Sequence, residues 1–325
     1  MRKIATLLLG SMMFVAHAQQ LVEGSTYYLP KTVVQFHILV EKTIYKPGEL
    51  AIYSGKYLKM HDVETEPSTS YRNINMQVTS VGIPDTTQRH VAVIDKKHSI
   101  ISLNRDDNGV LLAVNTEGSK PQPAQPFVSA PKPAPLNAHD YMNADILAAG
   151  SKPKMAELIA SEIYEIRDSR NQLTRGEADN MPKDGEQLRI MMANLDKQER
   201  ALMQTFIGTT EKDTTETVLT FIPEKEVNRQ LLFRFSKKLG LVDADDLGGR
   251  PFYISVEDLH SLPTLSLPDE GKKSKDVSGI YVNLPGKIRL SLFDGTRLFA
   301  KNELYAAQFG HTEALSGELF GKKMT

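Results

Sequence analysis

The sequence contains no cysteine and no tryptophan among its 325 residues. Without cysteine the chain has no thiolate nucleophile, no disulfide and no cysteine zinc site. An excess of one charge is also missing, since 39 lysines and arginines face 40 aspartates and glutamates. Nucleic-acid-binding proteins usually carry a marked excess of basic residues. We therefore expect no nucleic-acid partner.

Motifs of well-known catalytic sites are absent too. The chain has no Walker-type phosphate loop, no His-Glu-x-x-His and no Gly-x-Ser-x-Gly. No two histidines stand three or four residues apart. The stretch "NRDDNG" resembles half a calcium loop, but Asn104 and Asn115 stand where acidic ligands belong. Its Asn-Gly between two apolar runs instead predicts a β-hairpin. The sequence thus predicts no catalytic residue, no metal and no cofactor.

The first eighteen residues have the three parts of a secretory signal peptide. Arg2 and Lys3 supply positive charge, 4–15 is a short apolar run, and Ala16-His17-Ala18 fits the cleavage pattern. We expect residues 1–18 to be removed, so that the mature chain begins at Gln19. Since no cysteine follows this point, we expect no lipid anchor, and no transmembrane segment remains. The expected location is the periplasm or the outer-membrane surface.

Residues 19–117 are predicted to form a β-rich module with one short helix. Apolar residues at every second position from Val34 to Val40 indicate a strand with one buried face. A turn and a short helix over 49–60 follow. Further strands are predicted over 71–81 and 90–95, on either side of a turn at 82–85.

A proline-rich segment, 118–137, comes next. It holds six prolines and favours an extended, semi-rigid conformation. We predict that it is a linker between two independently packed modules; the alternative is an insertion within one domain.

Residues 138–325 are predicted to form an α+β module. Apolar residues at helical spacing predict two helices within about 153–207, joined as an antiparallel hairpin. Asp184 is the expected N-cap of the second helix and Gly208 its end. Strands are predicted over 217–222, 231–235 and 252–256, and then a three-stranded meander over 280–299, with turns at 285–286 and 294–295. The overall expectation is an α+β, β-dominated fold, in which the hairpin packs against a sheet or sandwich.

The hairpin also carries the candidate binding residues. Arg167 and Arg170 share one helix face, from which they can clamp a carboxylate or phosphate. The alternative is that they pair with neighbouring acids at 165, 168, 177 or 179. The tip between the helices is longer than a simple turn requires. Its polar residues complete the candidate set: Arg175, Glu177, Asp179 and Asn180.

Aromatic residues suggest a second kind of site. Five tyrosines lie close together in the first module: Tyr27, Tyr28, Tyr45, Tyr53 and Tyr57. Exposed aromatic rings can bind sugars, whereas the alternative is a tyrosine-rich core edge.

Three stretches resemble a known family. They are 27–63 ("YYLPKTVVQFHILVEKTIYKPGELAIYSGKYLKMHDV"), 163–210 ("IYEIRDSRNQLTRGEADNMPKDGEQLRIMMANLDKQERALMQTFIGTT") and 231–254 ("LLFRFSKKLGLVDADDLGGRPFYI"), together with the later "AAQFG". These stretches are similar to an uncharacterised, domain-of-unknown-function family of secreted proteins from Bacteroidales-type bacteria. The resemblance implies an envelope location and a two-part layout, but no activity.

We therefore interpret the chain as a non-enzymatic envelope protein that binds a partner or organises an assembly. Its partner would be another envelope protein or a cell-surface component. Two alternatives remain open at this stage. One is a periplasmic hydrolase that uses carboxylates such as Asp62 and Asp85. The other is a glycan-binding module that uses the tyrosines.

Overall fold

The computed structural model describes residues 24–92, 100, 102–120, 125–263 and 279–316. The strands are β1 (Ser25–Lys46), β2 (Ser68–Ala92), β3 (Leu103–Arg105), β4 (Leu111–Val114), β5 (Thr209–Phe221), β6 (Val227–Ser236), β7 (Gly240–Val242), β8 (Arg250–Asp258), β9 (Gly279–Asp294) and β10 (Arg297–Ser316). The helices are α1 (Ser54–Tyr57), α2 (Ala144–Leu147), α3 (Lys152–Arg175) and α4 (Gly185–Ile207), with 3-10 turns at Ala51–Tyr53 and Ala138–Tyr141. The β-dominated α+β prediction is confirmed.

Two antiparallel sheets form a sandwich. One has the strand order β2-β1-β5 and the other the order β10-β9-β8-β6-β7. The alternating apolar residues of β1 form one side of the core between the sheets, as their period of two predicts. The buried core residues are Val34, Phe36, Ile38, Val40, Phe233, Phe252, Ile254, Val256, Ile288, Leu290, Leu292 and Ala306. A sandwich is therefore present, but it was predicted within 138–325 alone, whereas β1 and β2 from the predicted first module form part of it.

Strand β1 joins the two halves of the chain. It pairs with β2 on one side and with β5 on the other, where the register runs from Val34↔Phe221 to Lys46↔Thr209. Residues before and after 118–137 thus share one sheet and one core. This pairing is at odds with two independently packed modules. Sequence reasoning missed it because the pattern of β1 shows one buried face but not which strands flank it.

Strand β2 corrects the turn predicted at 82–85. The chain continues through these residues as strand, with Gly82 opposite Thr32 and Pro84 opposite Pro30. β2 is an edge strand, where a proline is tolerated more readily than in a central strand that pairs on both sides. The register then shifts before Arg89, so a bulge stands close to the predicted turn.

Strands β9 and β10 correct the predicted three-stranded meander. Asp294 and Arg297 flank a tight turn, as expected, but Pro285-Gly286 lies within the continuous strand β9. Opposite it, β10 bulges between Ala306 and His311. A Cβ atom on Gly286 would lie 2.0 Å from the carbonyl oxygen of Phe309. This glycine therefore permits close backbone packing rather than a turn.

The β10 bulge contains the "AAQFG" stretch and binds β1. The side chain of Gln308 accepts from the Thr32 N–H at 3.1 Å and donates to the Thr32 carbonyl at 2.8 Å. The Ala307 N–H donates to the Thr32 hydroxyl at 2.9 Å. These bonds connect the two sheets through polar backbone groups that would otherwise be buried without partners.

Helices α3 and α4 form the predicted hairpin. Asp184 accepts from the Gln187 N–H at 2.8 Å, and Gly208 ends α4, so both cap predictions are confirmed. The hairpin has its own apolar core with the α1 region and α2, in which Ile159, Ile163 and Phe206 are fully buried. The Leu50 N–H donates to the Thr205 carbonyl at 2.8 Å, which fixes the end of α4 to the chain after β1.

Three further expectations concern segments that the structure describes fully, in part or not at all. Strands β3 and β4 form the predicted hairpin around "NRDDNG". The predicted strand 90–95 is the end of β2 up to Ala92, and its remainder lies outside the described residues. The predicted signal peptide lies outside them as well. No helix in the described part of the chain is both long and apolar enough to span a membrane.

Candidate functional site

A groove lies where the hairpin, the proline-rich segment and β5 meet. It encloses about 1610 Å³, and we call it the hairpin groove. One wall is the C-terminal half of α4, the second is 132–136, and the third is the start of β5 at 209–212. Arg167 and Arg170 reach it from α3. The sequence-predicted arginines therefore do line a cavity.

These two arginines are, however, already paired. Arg167 donates through Nε to Glu199 at 2.5 Å, and Arg170 contacts Asp196 at 2.9 Å and Glu199 at 2.8 Å. The two arginines thus pair with acidic residues, as the alternative predicted. Their partners, however, are acids on α4 and not those at 165, 168, 177 or 179. The Asp196 hydrogen bond is the main cause that raises the pKa of Arg170. Neither arginine is left as a free anion clamp.

Cations without a carboxylate partner stand on α4 instead. Six basic and three acidic residues line the hairpin groove. Lys197 and Arg200 form no ion pair within the described part of the chain, and Arg200 donates only to the Asp196 backbone carbonyl at 3.2 Å. Both side chains are exposed. Sequence reasoning missed them, although they show the same three-residue spacing that selected Arg167 and Arg170.

The proline-rich segment lies against β5. The Phe127 N–H donates to Glu216 Oε2 at 3.0 Å, and Lys132 pairs with Asp213 at 3.0 Å. The Phe127 hydrogen bond is the largest cause that lowers the pKa of Glu216, followed by the His37 hydrogen bond. The segment is thus held along a strand, and its residues 132–136 form one wall of the groove.

His37 links Glu216 to Thr79 on the outer face of the three-stranded sheet. Its Nδ1 lies 2.9 Å from Glu216 Oε1, and its Nε2 lies 3.1 Å from Thr79 Oγ1. Acid, imidazole and hydroxyl thus follow one another as in a hydrolase triad. A triad also needs a substrate cavity with oxyanion donors beside the hydroxyl. Neither the hairpin groove nor the smaller cavity at the β3–β4 loop includes His37 or Thr79 in its lining.

The hairpin tip is exposed and only loosely tied. Arg175 and Glu177 form an exposed ion pair at 3.6 Å, and Asp179 and Asn180 are exposed beside them. The tip is separate from the hairpin groove, because none of these four residues lines it. Its role as a contact surface stays a prediction.

The five tyrosines do not form a platform. Tyr27 is fully buried, and its hydroxyl donates to the Tyr281 carbonyl at 3.1 Å. Tyr27 and Tyr45 are near opposite ends of β1, roughly 60 Å apart at about 3.3 Å per residue. Tyr53 and Tyr57 pack on the hairpin core. Clustering in sequence did not give clustering in space, because one long strand separates the rings.

The acid pair named for a hydrolase is separated in the same way. Asp85 stands in the β2 bulge beside Pro30, whereas Asp62 precedes Ser68, the partner of Tyr45. Fifteen strand residues put these places roughly 50 Å apart. Catalytic carboxyl pairs lie within about 10 Å of each other, so Asp62 and Asp85 are not such a pair.

The calcium-like loop is a turn. Asp106 Oδ1 accepts from the N–H groups of Asn108 at 2.9 Å and Val110 at 2.8 Å, so this oxygen holds its own hairpin together. Asp107 pairs with Lys120 at 2.7 Å. No group of three or more metal-ligating side chains occurs among the described residues.

A family model matches residues 23–325, nearly the whole chain. Its description is Domain of unknown function (DUF4831). The chain belongs to this family. No curated protein and no solved structure matches the chain. The membership confirms that the chain resembles an uncharacterised, domain-of-unknown-function family, and it brings no activity with it.

Proposed function

We propose that this protein is a non-enzymatic component of a bacterial cell envelope that binds another envelope protein or cell-surface component in the hairpin groove. One observation carries the proposal: Lys197 and Arg200 stand exposed in a groove of about 1610 Å³ without a carboxylate partner among the described residues. Exposed surface cations are common, but here they border an indented surface that also contains Met203, Ile207 and Leu136. Apolar surface beside a few polar groups is the usual lining of a binding site.

The partner is tested by photo-crosslinking in the cells that make the protein. Ile207 lines the groove and is 38% exposed, so a photoreactive phenylalanine derivative is placed there. The control carries the same group at Leu247, which is 84% exposed and outside the groove. We expect a discrete adduct from position 207 only. The same adducts from both positions, or none from 207, would overturn groove binding.

The envelope location rests on residues 1–18 and is tested separately. Cleavage after Ala18 gives a mature chain that begins at Gln19 and carries no acyl group. Intact-mass measurement on the native protein distinguishes this from a retained Met1 or an added lipid, and either of those would contradict the proposal.

A hydrolase remains the second candidate, because His37 stands between Glu216 and Thr79. If Thr79 were a nucleophile, the protein would hydrolyse a simple activated ester such as p-nitrophenyl acetate faster than Thr79→Val does. We expect equal rates, since the hydroxyl opens into neither of the two cavities described above.

A further inference from the structure

We infer that the hairpin groove takes an acidic polypeptide segment in extended conformation, which adds as a strand to the free edge of β5. This inference rests on the proposed function and specifies the chemistry of the partner. Its first support is sheet topology. β5 pairs only with β1, so among the described residues its other edge has no backbone partner.

The start of this edge strand borders the hairpin groove. Residues 209–212 at the start of β5 form one of its walls. Alternate residues of an edge strand direct their N–H and C=O groups outward, where an incoming strand can pair with them. Four residues span about 13 Å, which gives room for about four residues of a partner. Addition of a strand to a sheet edge is a common mode of peptide recognition.

Charge selects an acidic segment. The three lining carboxylates are already engaged: Asp196 and Glu199 by the α3 arginines, and Glu211 by Lys46 at 3.3 Å. Lys197 and Arg200 therefore remain to meet an incoming carboxylate. A basic segment would gain no partner and would be repelled by both.

The apolar lining selects the side-chain pattern. In a strand, successive side chains point to opposite faces. Met203 and Ile207 on α4 and Leu136 on the opposite wall offer apolar contacts beside the two cations. A segment in which acidic and aliphatic residues alternate can place one set on the cations and the other on these side chains. Valine or isoleucine at the aliphatic positions favours the extended conformation.

Synthetic peptides test this directly on the mature full-length protein. The probe is a fluorescein-labelled octapeptide, Ser-Glu-Val-Glu-Val-Glu-Val-Ser, blocked at its C-terminus. The first control replaces each Glu with Lys, and the second keeps the sequence but N-methylates alternate backbone amides. Fluorescence anisotropy should show binding of the acidic peptide and at least about tenfold weaker binding of both controls. Equal binding of the lysine peptide overturns the charge argument, and equal binding of the N-methyl peptide overturns strand addition.

Paired variants locate the site. The variant Lys197→Glu with Arg200→Glu should weaken peptide binding by about tenfold or more, since two exposed attractions become repulsions. The matched control is Arg297→Glu with Lys301→Glu, which reverses the same two residue types at exposed positions of β10. Equal loss in both variants, or loss in neither, overturns the assignment to the groove. If sedimentation shows a dimer that the groove variant abolishes, the groove binds a second copy of this chain. That result would also overturn the inference.

The crosslinking result separates the two proposals. If position 207 captures a discrete partner but the acidic peptide does not bind, the groove binds a partner of other chemistry, and only this inference fails. If position 207 captures nothing, the proposed function fails.

Discussion

His90 lies between two tyrosine rings near one end of the sandwich. Its ring is stacked on Tyr281 at a centroid distance of 4.6 Å and lies 5.7 Å from Tyr27. Burial lowers the pKa of His90 from 6.5, and its Nε2 is buried without a hydrogen-bond partner within the described part of the chain. The neutral imidazole therefore acts here as an aromatic ring.

This placement predicts a pH dependence of stability. A histidine whose folded pKa is lowered binds its proton more readily in the unfolded chain, so stability falls as pH drops below 6.5 towards the folded pKa. His90→Phe keeps an aromatic ring but cannot titrate. We expect urea unfolding to show that the free energy of unfolding falls less between pH 7 and pH 5 for His90→Phe than for the parent. His139→Phe, at an exposed position, is the control and should lose as much as the parent; equal losses in all three would contradict the prediction.

Phe36 tests the inter-sheet core. It is fully buried on β1 and belongs to the cluster that joins both sheets. Phe36→Ala should lower the free energy of unfolding by about 3–5 kcal/mol, as large-to-small changes in a core do. Ile52→Ala removes a side chain that is 70% exposed and should change it by less than about 0.5 kcal/mol. Denaturant unfolding measures both, and a small effect at Phe36 would argue against the sandwich core.

At the scale of elements, the hairpin was the most predictable part. Its helices are long, and the apolar spacing, Asp184 and Gly208 are all local signals. The predicted strands were found but not correctly ended, and β7 and most of β10 were not predicted. Pro84 and Gly286 are turn formers by local preference, yet both lie within strands because edge position and close packing decide there. The partners of Arg167, His37 and β1 lie far from them in the sequence, and no local pattern shows which distant residues will be in contact.

The hairpin tip can be shortened as a test of which surface binds. Replacing 176–182 with a three-residue turn keeps Asp184 and its bond to Gln187, so the helices should still form. We expect the melting temperature, measured by circular dichroism, to lie within a few degrees of that of the parent. The crosslink from position 207 should persist. If the shortened protein folds but loses that crosslink, the tip with Arg175, Glu177, Asp179 and Asn180 is the contact surface instead.

At the scale of the molecule, the proline-rich segment separates the two parts of the chain, whereas strand β1 holds these parts together. Residues 125–137 contain neither helix nor strand, and Val128 is 84% exposed. Among the described residues no backbone–backbone hydrogen bond holds 125–136, and the Phe127–Glu216 and Lys132–Asp213 bonds both involve side chains. A protease should therefore cut here first. The sheet, by contrast, continues from the part before the segment into the part after it.

Limited proteolysis consequently tests the layout of the whole chain. We expect the first cuts within 118–137 and two fragments of about 100 and 190 residues on a denaturing gel. The nicked protein should nevertheless elute as one species in size-exclusion chromatography, because β1 remains paired with β5 from Val34 to Lys46 and shares the inter-sheet core. The fragments should part only in denaturant. If they separate in native buffer and each stays folded, the two modules pack independently, and the pairing of β1 with β5 does not hold the molecule together.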